Sequence, residues 1–207
     1  MENKDWTGNK NSIFKTLGAS NHTDKERQSE DYYATDPIAA ELLLQIEDIP
    51  KDRSIWEPAA GELHLSNVFK KHGYNVISTD LVVRNDEVKQ EDFLKKLDGE
   101  HKLFNGTIIT NPPYKYALEF VESAMEKIAD GNKVCMFLKI QFLEGKKRKS
   151  LFEKYPPKTI WVSSSRIMCA KNGDFETMIE GGGSAVAYAW YIWEKGFKGE
   201  TTLKWFN

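Results

Sequence analysis

The sequence predicts an α/β protein, a three-layer sandwich with a mainly parallel sheet and a C-terminal antiparallel hairpin. Strand-like and helix-like segments alternate from residue 55 to residue 138, which is the pattern of parallel strands joined by crossover helices. The segment 134–138 is apolar throughout, as expected of a strand covered on both faces. The strand-like segments 159–163 and 185–193 follow each other without a long intervening helix, which favours an antiparallel pair.

The first ordered elements are a helix and a short strand. Asp36-Pro37 predicts a helix start, because an acid at the N-cap precedes a proline at the first helical position, and Pro50 ends the helix. Its predicted apolar face consists of Ile38, Leu42, Leu43 and Ile46. A strand over 54–56 follows and is closed by Pro58, since proline cannot continue a hydrogen-bonded ladder.

The alternation continues along the chain with helices at 66–72, 116–129 and 150–154 and with strands at 75–81, 106–110 and 134–138. Gly73 follows the first of these helices, where a glycine C-cap is common. Pro112 and Pro113 stop the strand at 106–110 abruptly. These elements give the sheet its predicted order of parallel strands and crossover helices.

Composition and charge exclude several classes of protein. The chain has 207 residues, of which 40% are hydrophobic, so it has enough apolar side chains for a full core and is not disordered as a whole. No apolar run approaches the roughly 20 residues needed to cross a bilayer. A net charge of −2 argues against a generally basic nucleic-acid-binding protein.

The same survey sets expectations for organisation and location. Residues 1–30 are polar and mixed in sign, which predicts an irregular arm, and residues 31–207 are predicted to form one domain. The start of the chain lacks the layout of a signal peptide. The two cysteines are far apart, which indicates neither a disulfide framework nor a zinc site. We therefore expect a cytoplasmic protein without a metal or a membrane partner.

Small and polar residues follow three predicted strands at one edge of the sheet, where such sheets bind ligands. The first is the turn Glu57-Pro58-Ala59-Ala60-Gly61, in which a glycine can adopt positive φ and let a ligand approach the backbone. The second is Asp80, placed where an acid can hold the two hydroxyls of a ribose. Each is alone compatible with an ordinary turn or a capping aspartate, but together they favour a nucleotide-like ligand.

The third strand end, Asn111-Pro112-Pro113-Tyr114, is the most specific feature. Two prolines fix φ and remove two backbone donors, which leaves the Asn111 amide oxygen and the Pro112 carbonyl as rigid acceptors beside the ring of Tyr114. This suits a planar substrate with an NH₂ group, whose hydrogens the acceptors hold while the aromatic ring stacks on its face. A purely structural turn is the alternative interpretation.

These residues resemble motifs I, II and IV of class I S-adenosylmethionine-dependent methyltransferases. The Asn-Pro-Pro-Tyr form resembles the amino-methylating branch, above all the N6-adenine DNA methyltransferases. The segment 31–37 resembles motif X, Glu91-Asp92-Phe93 lies where motif III would be, and the whole chain is similar to small phage or prophage enzymes of this type. The resemblance implies a Rossmann-like methyltransferase fold and S-adenosylmethionine as the cofactor.

The resemblance also implies a role for each matched residue. The catalytic residues would be Asn111, Pro112, Pro113 and Tyr114. The cofactor-binding residues would be Tyr33, Thr35, Pro37, Glu57, Pro58, Ala59, Gly61, Asp80, Leu81, Asp92, Phe93 and Asn111. The expected substrate contacts are Tyr114, Gln141, Lys146, Lys147, Arg148 and Arg166. The basic cluster among them would meet phosphates, although a solvated helix start explains it equally well.

Two departures from the family pattern affect the expected function. Leu63 stands where such families usually carry a second glycine, so its side chain would either crowd the cofactor or point away. Few residues follow Tyr114 beyond those that the core fold needs, which predicts no separate target-recognition domain. Any reading of DNA sequence would then depend on short loops.

The predicted activity is methyl transfer from S-adenosylmethionine to an exocyclic amine, with adenine N6 in DNA as the preferred acceptor. A base in duplex DNA would have to flip out of the helix to reach the site. Two alternatives remain open. In the first, the methyl acceptor is an RNA amine or a protein glutamine, because methyltransferases for these acceptors have a similar motif. In the second, the chain is a non-catalytic cofactor-binding module, which the side chain of Leu63 suggests.

Overall fold

Eight strands form one sheet at the centre of the molecule. The computed structural model describes residues 33–97, 101–171, 173–180 and 186–207, and the predicted arm at 1–30 lies outside them. The strands of this sheet are β2 (Ser54–Glu57), β3 (Val76–Asp80), β4 (Lys89–Gln90), β5 (Gly106–Thr110), β6 (Lys133–Lys139), β7 (Thr159–Ser163), β9 (Tyr188–Glu194) and β10 (Thr202–Phe206). Two further strands, β1 (Tyr33–Thr35) and β8 (Cys169–Lys171), pair with each other in a separate antiparallel sheet.

The strand order of the main sheet is β10-β7-β9-β6-β5-β2-β3-β4. Strand β9 is antiparallel to both of its neighbours, β6 and β7, and the other neighbouring pairs are parallel. Strands β2, β3, β5 and β6 therefore all end at the same side of the sheet. We call this side the functional edge, because ligands bind at the carboxyl ends of parallel strands.

Helices cover both faces of the sheet. They are α1 (Ile38–Ile46), α2 (His64–Lys71), α3 (Ala117–Lys127) and α4 (Lys146–Lys154), and a further short helix, α5 (Phe175–Glu180), follows β8. Strand β6 shows the division, because Cys135 and Phe137 belong to the core cluster that contains residues of α1 and α2, whereas Val134 and Met136 belong to the cluster that contains residues of α3 and α4. Successive side chains of a strand point to opposite faces, so the molecule has three layers. Within the described ranges, no helix is long and apolar enough to span a membrane.

The predicted fold class is confirmed. Strands β5 and β7 have the predicted bounds, and β7 and β9 are antiparallel neighbours as expected. The chain does not stop at this pair, because the unpredicted strand β10 adds to β7 in the parallel direction. The sequence also did not predict β1, β4, β8 and α5, and α4 begins at Lys146 instead of residue 150.

The predicted apolar face of the first helix was partly wrong. The buried residues of α1 are Ala39, Ala40 and Leu43, whereas Ile38 is 44% exposed. The reason is a close approach to the sheet, in which the indole N–H of Trp190 donates to the carbonyl oxygen of Ala39 at 3.0 Å. Alanines permit this approach, and the larger aliphatic side chains lie to the side of the contact.

Candidate active site

The turn after β2 and the end of β3 are joined by hydrogen bonds to Asp80. The backbone N–H of Gly61, which has φ +51°, donates to Oδ2 of Asp80 at 2.8 Å, and the N–H of Val82 donates to Oδ1 at 3.0 Å. Nη1 of Arg84 also lies 3.8 Å from Oδ1, which is beyond hydrogen-bond length, so each carboxylate oxygen keeps a second lone pair that can accept a hydroxyl group. The structure thus brings together two of the predicted cofactor-binding residues.

Glu57 connects three elements below this turn. Its side chain is 2% exposed and accepts a hydrogen bond from the hydroxyl of Ser66 on α2, which in turn lies 2.7 Å from the hydroxyl of Ser78 on β3. Burial raises the pKa of Glu57 to about 8, against the opposing effect of the Ser66 hydrogen bonds. The carboxyl group therefore faces the protein interior, where it holds β2, α2 and β3 together.

Leu63 has a backbone conformation that is usual for glycine. It has φ 69° and ψ 21°, in the left-handed region that favours glycine. Its side chain is 1% exposed and belongs to a small buried cluster with Ala60 and Val88. The Leu63 side chain thus packs in the interior while its backbone has the conformation that glycine favours.

Asn111, which directly follows β5, has one end of its amide occupied and the other end open. Its Nδ2 donates to Oγ1 of Thr35 at 2.7 Å and lies 3.9 Å from Sγ of Cys169. Its Oδ1 is buried and has no hydrogen-bond partner among the residues that the structure describes, and the same holds for the hydroxyl of Thr110. A buried acceptor without a partner costs about 1–3 kcal/mol, which marks it as a site for a donor from outside the chain.

Tyr114 lies in a group of aromatic and cationic side chains beside Asn111. Its hydroxyl is 2.9 Å from that of Tyr188, its ring centroid is 5.3 Å from that of Tyr33, and Nζ of Lys139 lies 4.1 Å from the same centroid. Burial raises the pKa of Tyr114 far above its ordinary value, so the ring stays neutral. A base that stacks on the face under Lys139 must displace that ammonium group.

Three residues of this group were absent from the sequence-based set. Lys139 is the last residue of β6, at the functional edge. It directly follows the apolar run 134–138, and this position was the signal that could have revealed it. Tyr188 was interpreted as core packing, and it is 4% exposed, yet its hydroxyl reaches Tyr114. Cys169 had no signal in the sequence. Burial raises the pKa of its thiol, while the hydroxyls of Tyr114, Tyr188 and Thr35 within hydrogen-bonding reach act in the opposite direction.

The remaining cofactor-binding candidates differ in exposure. Leu81 is 61% exposed at the end of β3, and Pro37 is exposed at the start of α1. Asp92 is exposed, and its Oδ1 accepts a hydrogen bond from the N–H of Leu94. The ring of Phe93 is 2% exposed and packs edge-on against Trp56 with 5.1 Å between centroids, so it contributes to the core.

Four of the predicted substrate residues, Gln141, Lys146, Lys147 and Arg148, lie at and near the start of α4, whereas Arg166 follows β7. Gln141, Lys146 and Lys147 are exposed, as is Arg166. Arg148 is half-buried, because its guanidinium donates to the carbonyl oxygen of Gln141 at 2.7 Å and covers the ring of Phe142. Because β6 ends at the functional edge and α4 follows it, the basic cluster lies on that side of the sheet.

The segment 163–184 connects β7 to β9, and its length and glycines suggest a loop that could close over a substrate. It contains β8 and α5, and the glycines 181–183 lie outside the described residues. The described part packs against the turn after β2, since a Cβ on Gly173 would lie 3.3 Å from Oε2 of Glu62 and the ring centroids of His64 and Phe175 are 5.8 Å apart.

No protein-family model and no curated protein matches this sequence, but solved structures do. One is described as a class I S-adenosylmethionine-dependent methyltransferase from Listeria monocytogenes (TM-score 0.51, 17% identity, 81% of this chain and 62% of that chain). Another is the M protein of the type I restriction enzyme EcoKI, EC 2.1.1.72 (TM-score 0.53, 16% identity, 81% and 44%). A third is an S-adenosylmethionine-dependent O-methyltransferase from Thermotoga maritima (TM-score 0.52, 12% identity, 79% and 67%).

At these identities the likeness establishes the fold, which is that of class I S-adenosylmethionine-dependent methyltransferases. The chain spans less than two thirds of the length of the Listeria protein and less than half of the EcoKI subunit. The neighbours include both an O-methyltransferase and a DNA adenine methylase. The fold therefore leaves the acceptor to be argued from the site itself.

Proposed function

We propose that this protein transfers a methyl group from S-adenosylmethionine to an exocyclic amino group, and that the acceptor is adenine N6 in DNA. One observation carries the proposal. At the functional edge, Oδ1 of Asn111 is a buried hydrogen-bond acceptor without a partner in the described part of the chain, while Nδ2 of the same amide is held by Thr35. An acceptor presented in this way suits a substrate that offers N–H donors.

The ends of β2 and β3 fit the nucleoside part of the cofactor. Asp80 has acceptor capacity left for two ribose hydroxyls, and the exposed side chains of Leu81 and Val83 provide apolar surface for an adenine ring. The backbone of Gly61 is fixed against Asp80 and permits a close approach. When bound, S-adenosylmethionine supplies an electrophilic methyl group on a sulfonium centre.

The residues after β5 would then position the attacking amine. Oδ1 of Asn111 and the carbonyl oxygen of Pro112 accept the two amino hydrogens, which leaves the nitrogen lone pair free for attack. Holding the reacting atoms in this geometry contributes much of the rate. Tyr114 acts as a stacking surface and not as a base, because its raised pKa keeps it protonated. The surplus proton leaves the nitrogen after transfer, when that nitrogen is cationic.

DNA is the proposed partner, with RNA and protein as alternatives to be tested. The basic residues at the start of α4 would contact phosphates, and the target base would flip out of the duplex to reach Asn111 and Tyr114. An uncharged amine deep in a stacked duplex is otherwise out of reach of a buried acceptor.

The test is methyl transfer by the full chain with isotopically labelled S-adenosylmethionine. Unmethylated DNA, RNA and protein are compared as acceptors, and nucleoside mass spectrometry identifies the product. We expect N6-methyladenine in DNA, and we expect Asn111→Ala to lower the rate by roughly 100-fold or more while calorimetry still detects binding of the cofactor. Asn67→Ala, at an exposed position of α2, is the matched control.

Two outcomes would contradict the proposal. Full activity of the Asn111→Ala variant would remove the residue from the site. Cofactor binding without transfer to any of the three acceptors would instead make the chain a non-catalytic cofactor-binding module.

A further inference from the structure

Thr35 lies far from Asn111 in the chain but is its direct partner. The two residues are 76 positions apart, and Nδ2 of Asn111 donates to Oγ1 of Thr35 at 2.7 Å. Thr35 is 3% exposed, so water has little access to this hydrogen bond. Its position is fixed by strand β1, which pairs with β8 so that Thr35 lies opposite Cys169.

Cys169 lies opposite Thr35 and offers its hydroxyl an acceptor. The hydroxyl of Thr35 lies within hydrogen-bonding reach of Sγ of Cys169, so its hydrogen can be donated to the sulfur. Oγ1 then has only lone pairs to offer Asn111, and these bind the N–H end of the amide. The sulfur also lies 3.9 Å from the same Nδ2 and acts as a second, weak acceptor.

A carboxamide has a donor end and an acceptor end, and a rotation of 180° about Cβ–Cγ exchanges them. With its nitrogen held by Thr35 and Cys169, Asn111 presents Oδ1 as the end without a partner in the part of the chain that the structure describes. The opposite orientation would place an NH₂ group against the NH₂ group of the substrate. Oxygen and not nitrogen must face an amine for the proposed reaction to proceed.

We infer that Thr35 is a positioning residue, which orients the Asn111 amide so that its oxygen faces the amino group of the substrate. This inference rests on the proposed function and deepens it. It also differs from the cofactor-binding role that the family resemblance implies for Thr35. The two roles separate kinetically, because a positioning residue affects turnover at saturating cofactor whereas a cofactor ligand affects cofactor affinity.

The experiment compares Thr35→Val, which keeps the shape and loses the hydroxyl, with Thr35→Ser, which keeps the hydroxyl. We expect Thr35→Val to lower kcat about 10- to 100-fold with the KM for S-adenosylmethionine within about 2-fold of the wild type. Thr35→Ser should have a kcat within about 3-fold of the wild-type value. Cys169→Ala, which removes the sulfur beside Nδ2 of Asn111 and the Thr35 hydroxyl, should lower kcat by a smaller factor of about 3 to 10.

A second readout does not depend on turnover. In ¹⁵N-labelled protein, the Asn111 side-chain NH₂ signals, assigned by their loss in Asn111→Asp, should exchange slowly with water in the wild type and in Thr35→Ser. They should exchange faster in Thr35→Val. If the wild type methylates no acceptor, the proposed function fails, and this exchange pattern still decides whether Thr35 orients Asn111.

Two results would overturn the inference. One is a Thr35→Val variant with unchanged kcat and a raised KM for the cofactor, which would make Thr35 a cofactor ligand. The other is an Asn111 signal whose exchange is the same with and without the hydroxyl. If Thr35→Val fails to fold, the Cys169→Ala and Thr35→Ser pair decides the question by the same two measurements.

Discussion

Leu63 adopts a backbone conformation that costs a leucine free energy. A residue with a Cβ in the left-handed region loses about 1–2 kcal/mol relative to the right-handed one, and Leu63 has φ 69°. Its side chain is buried with Ala60 and Val88, and this burial offsets the strain. The strain and the packing can be separated by substitution.

Leu63→Ala keeps the strain and leaves a cavity, so we expect it to lower the free energy of unfolding by about 2–4 kcal/mol. Leu63→Gly leaves a similar cavity but removes the strain, so the glycine variant should be more stable than the alanine variant by about 1 kcal/mol. Urea unfolding followed by fluorescence measures both. The same pair at Leu65, inside α2, is the control, since alanine should be the more stable residue there. A glycine variant less stable than alanine at position 63 would contradict this account.

At the residue scale, the sequence predicted which residues lie together at the ends of parallel strands. Gly61 follows β2 and Asp80 ends β3, so the sequence predicted that they lie at one edge of the sheet, where the structure joins them by a hydrogen bond. Thr35 and Asn111 are joined through the separate sheet of β1 and β8, and no spacing rule connects residues that meet in this way. The orientation of Asn111 could therefore be found only in the structure.

At the scale of elements, Glu57 joins two strands and a helix through hydroxyl groups. The chain from Glu57 to Ser66 to Ser78 links β2, α2 and β3 directly below the turn that would bind the cofactor. Because burial raises the pKa of Glu57 to about 8 from an ordinary value of 4.5, folding favours the protonated form. The stability of this junction should therefore depend on pH.

Between pH 4.5 and 8 the folded protein keeps a proton on Glu57 that the unfolded chain has lost. The contribution of Glu57 to the free energy of unfolding is fully present below its pKa in the unfolded chain. It declines as pH rises through its pKa in the folded protein, by up to ~1.4 kcal/mol per pH unit. Glu57→Gln cannot ionise, so we expect a flatter dependence of unfolding free energy on pH in urea titrations from pH 5 to 8. Glu119→Gln, at an exposed site on α3, should behave like the wild type. Parallel curves for wild type and Glu57→Gln would show that Glu57 does not titrate in this range.

The elements that the sequence predicted are those whose signals are local. Strand β5 has a fully buried pattern and a proline stop, and its bounds were predicted correctly. Strands β1 and β8 have three residues each and exist because they pair with each other, not because of their own composition. Strand β10 is exposed at most positions, so it lacks the apolar run that identifies a buried strand. Short or exposed strands of this kind depend on partners that are distant in sequence.

At the scale of the whole molecule, a net charge of −2 means that any attraction to DNA must be local. The candidate region is the start of α4, where Lys146, Lys147 and Lys149 are exposed on the side of the sheet that carries Asn111 and Asp80. Lys149 has an ion-pair partner, Glu153, at 3.4 Å, but a surface pair of this type is weak and can exchange for a phosphate. The distribution of charge, and not its sum, decides whether DNA is held at the site.

Replacing Lys146, Lys147 and Lys149 together with glutamine should therefore weaken DNA binding and lower its dependence on salt. Each lost phosphate contact reduces the slope of log K against log salt by about 0.9, so the magnitude of the slope should fall by roughly 2–3 if all three lysines contact phosphates. The control is Lys71→Gln, Lys102→Gln and Lys198→Gln, which removes the same charge from exposed positions at the opposite edge of the sheet. Fluorescence anisotropy of a labelled duplex between about 50 and 200 mM salt measures both variants. If the two triple variants lose equal affinity for DNA, the DNA responds to total charge and the start of α4 is not its binding surface. If only the α4 variant loses affinity, the phosphates lie beside α4, within reach of the residues that would receive the flipped base.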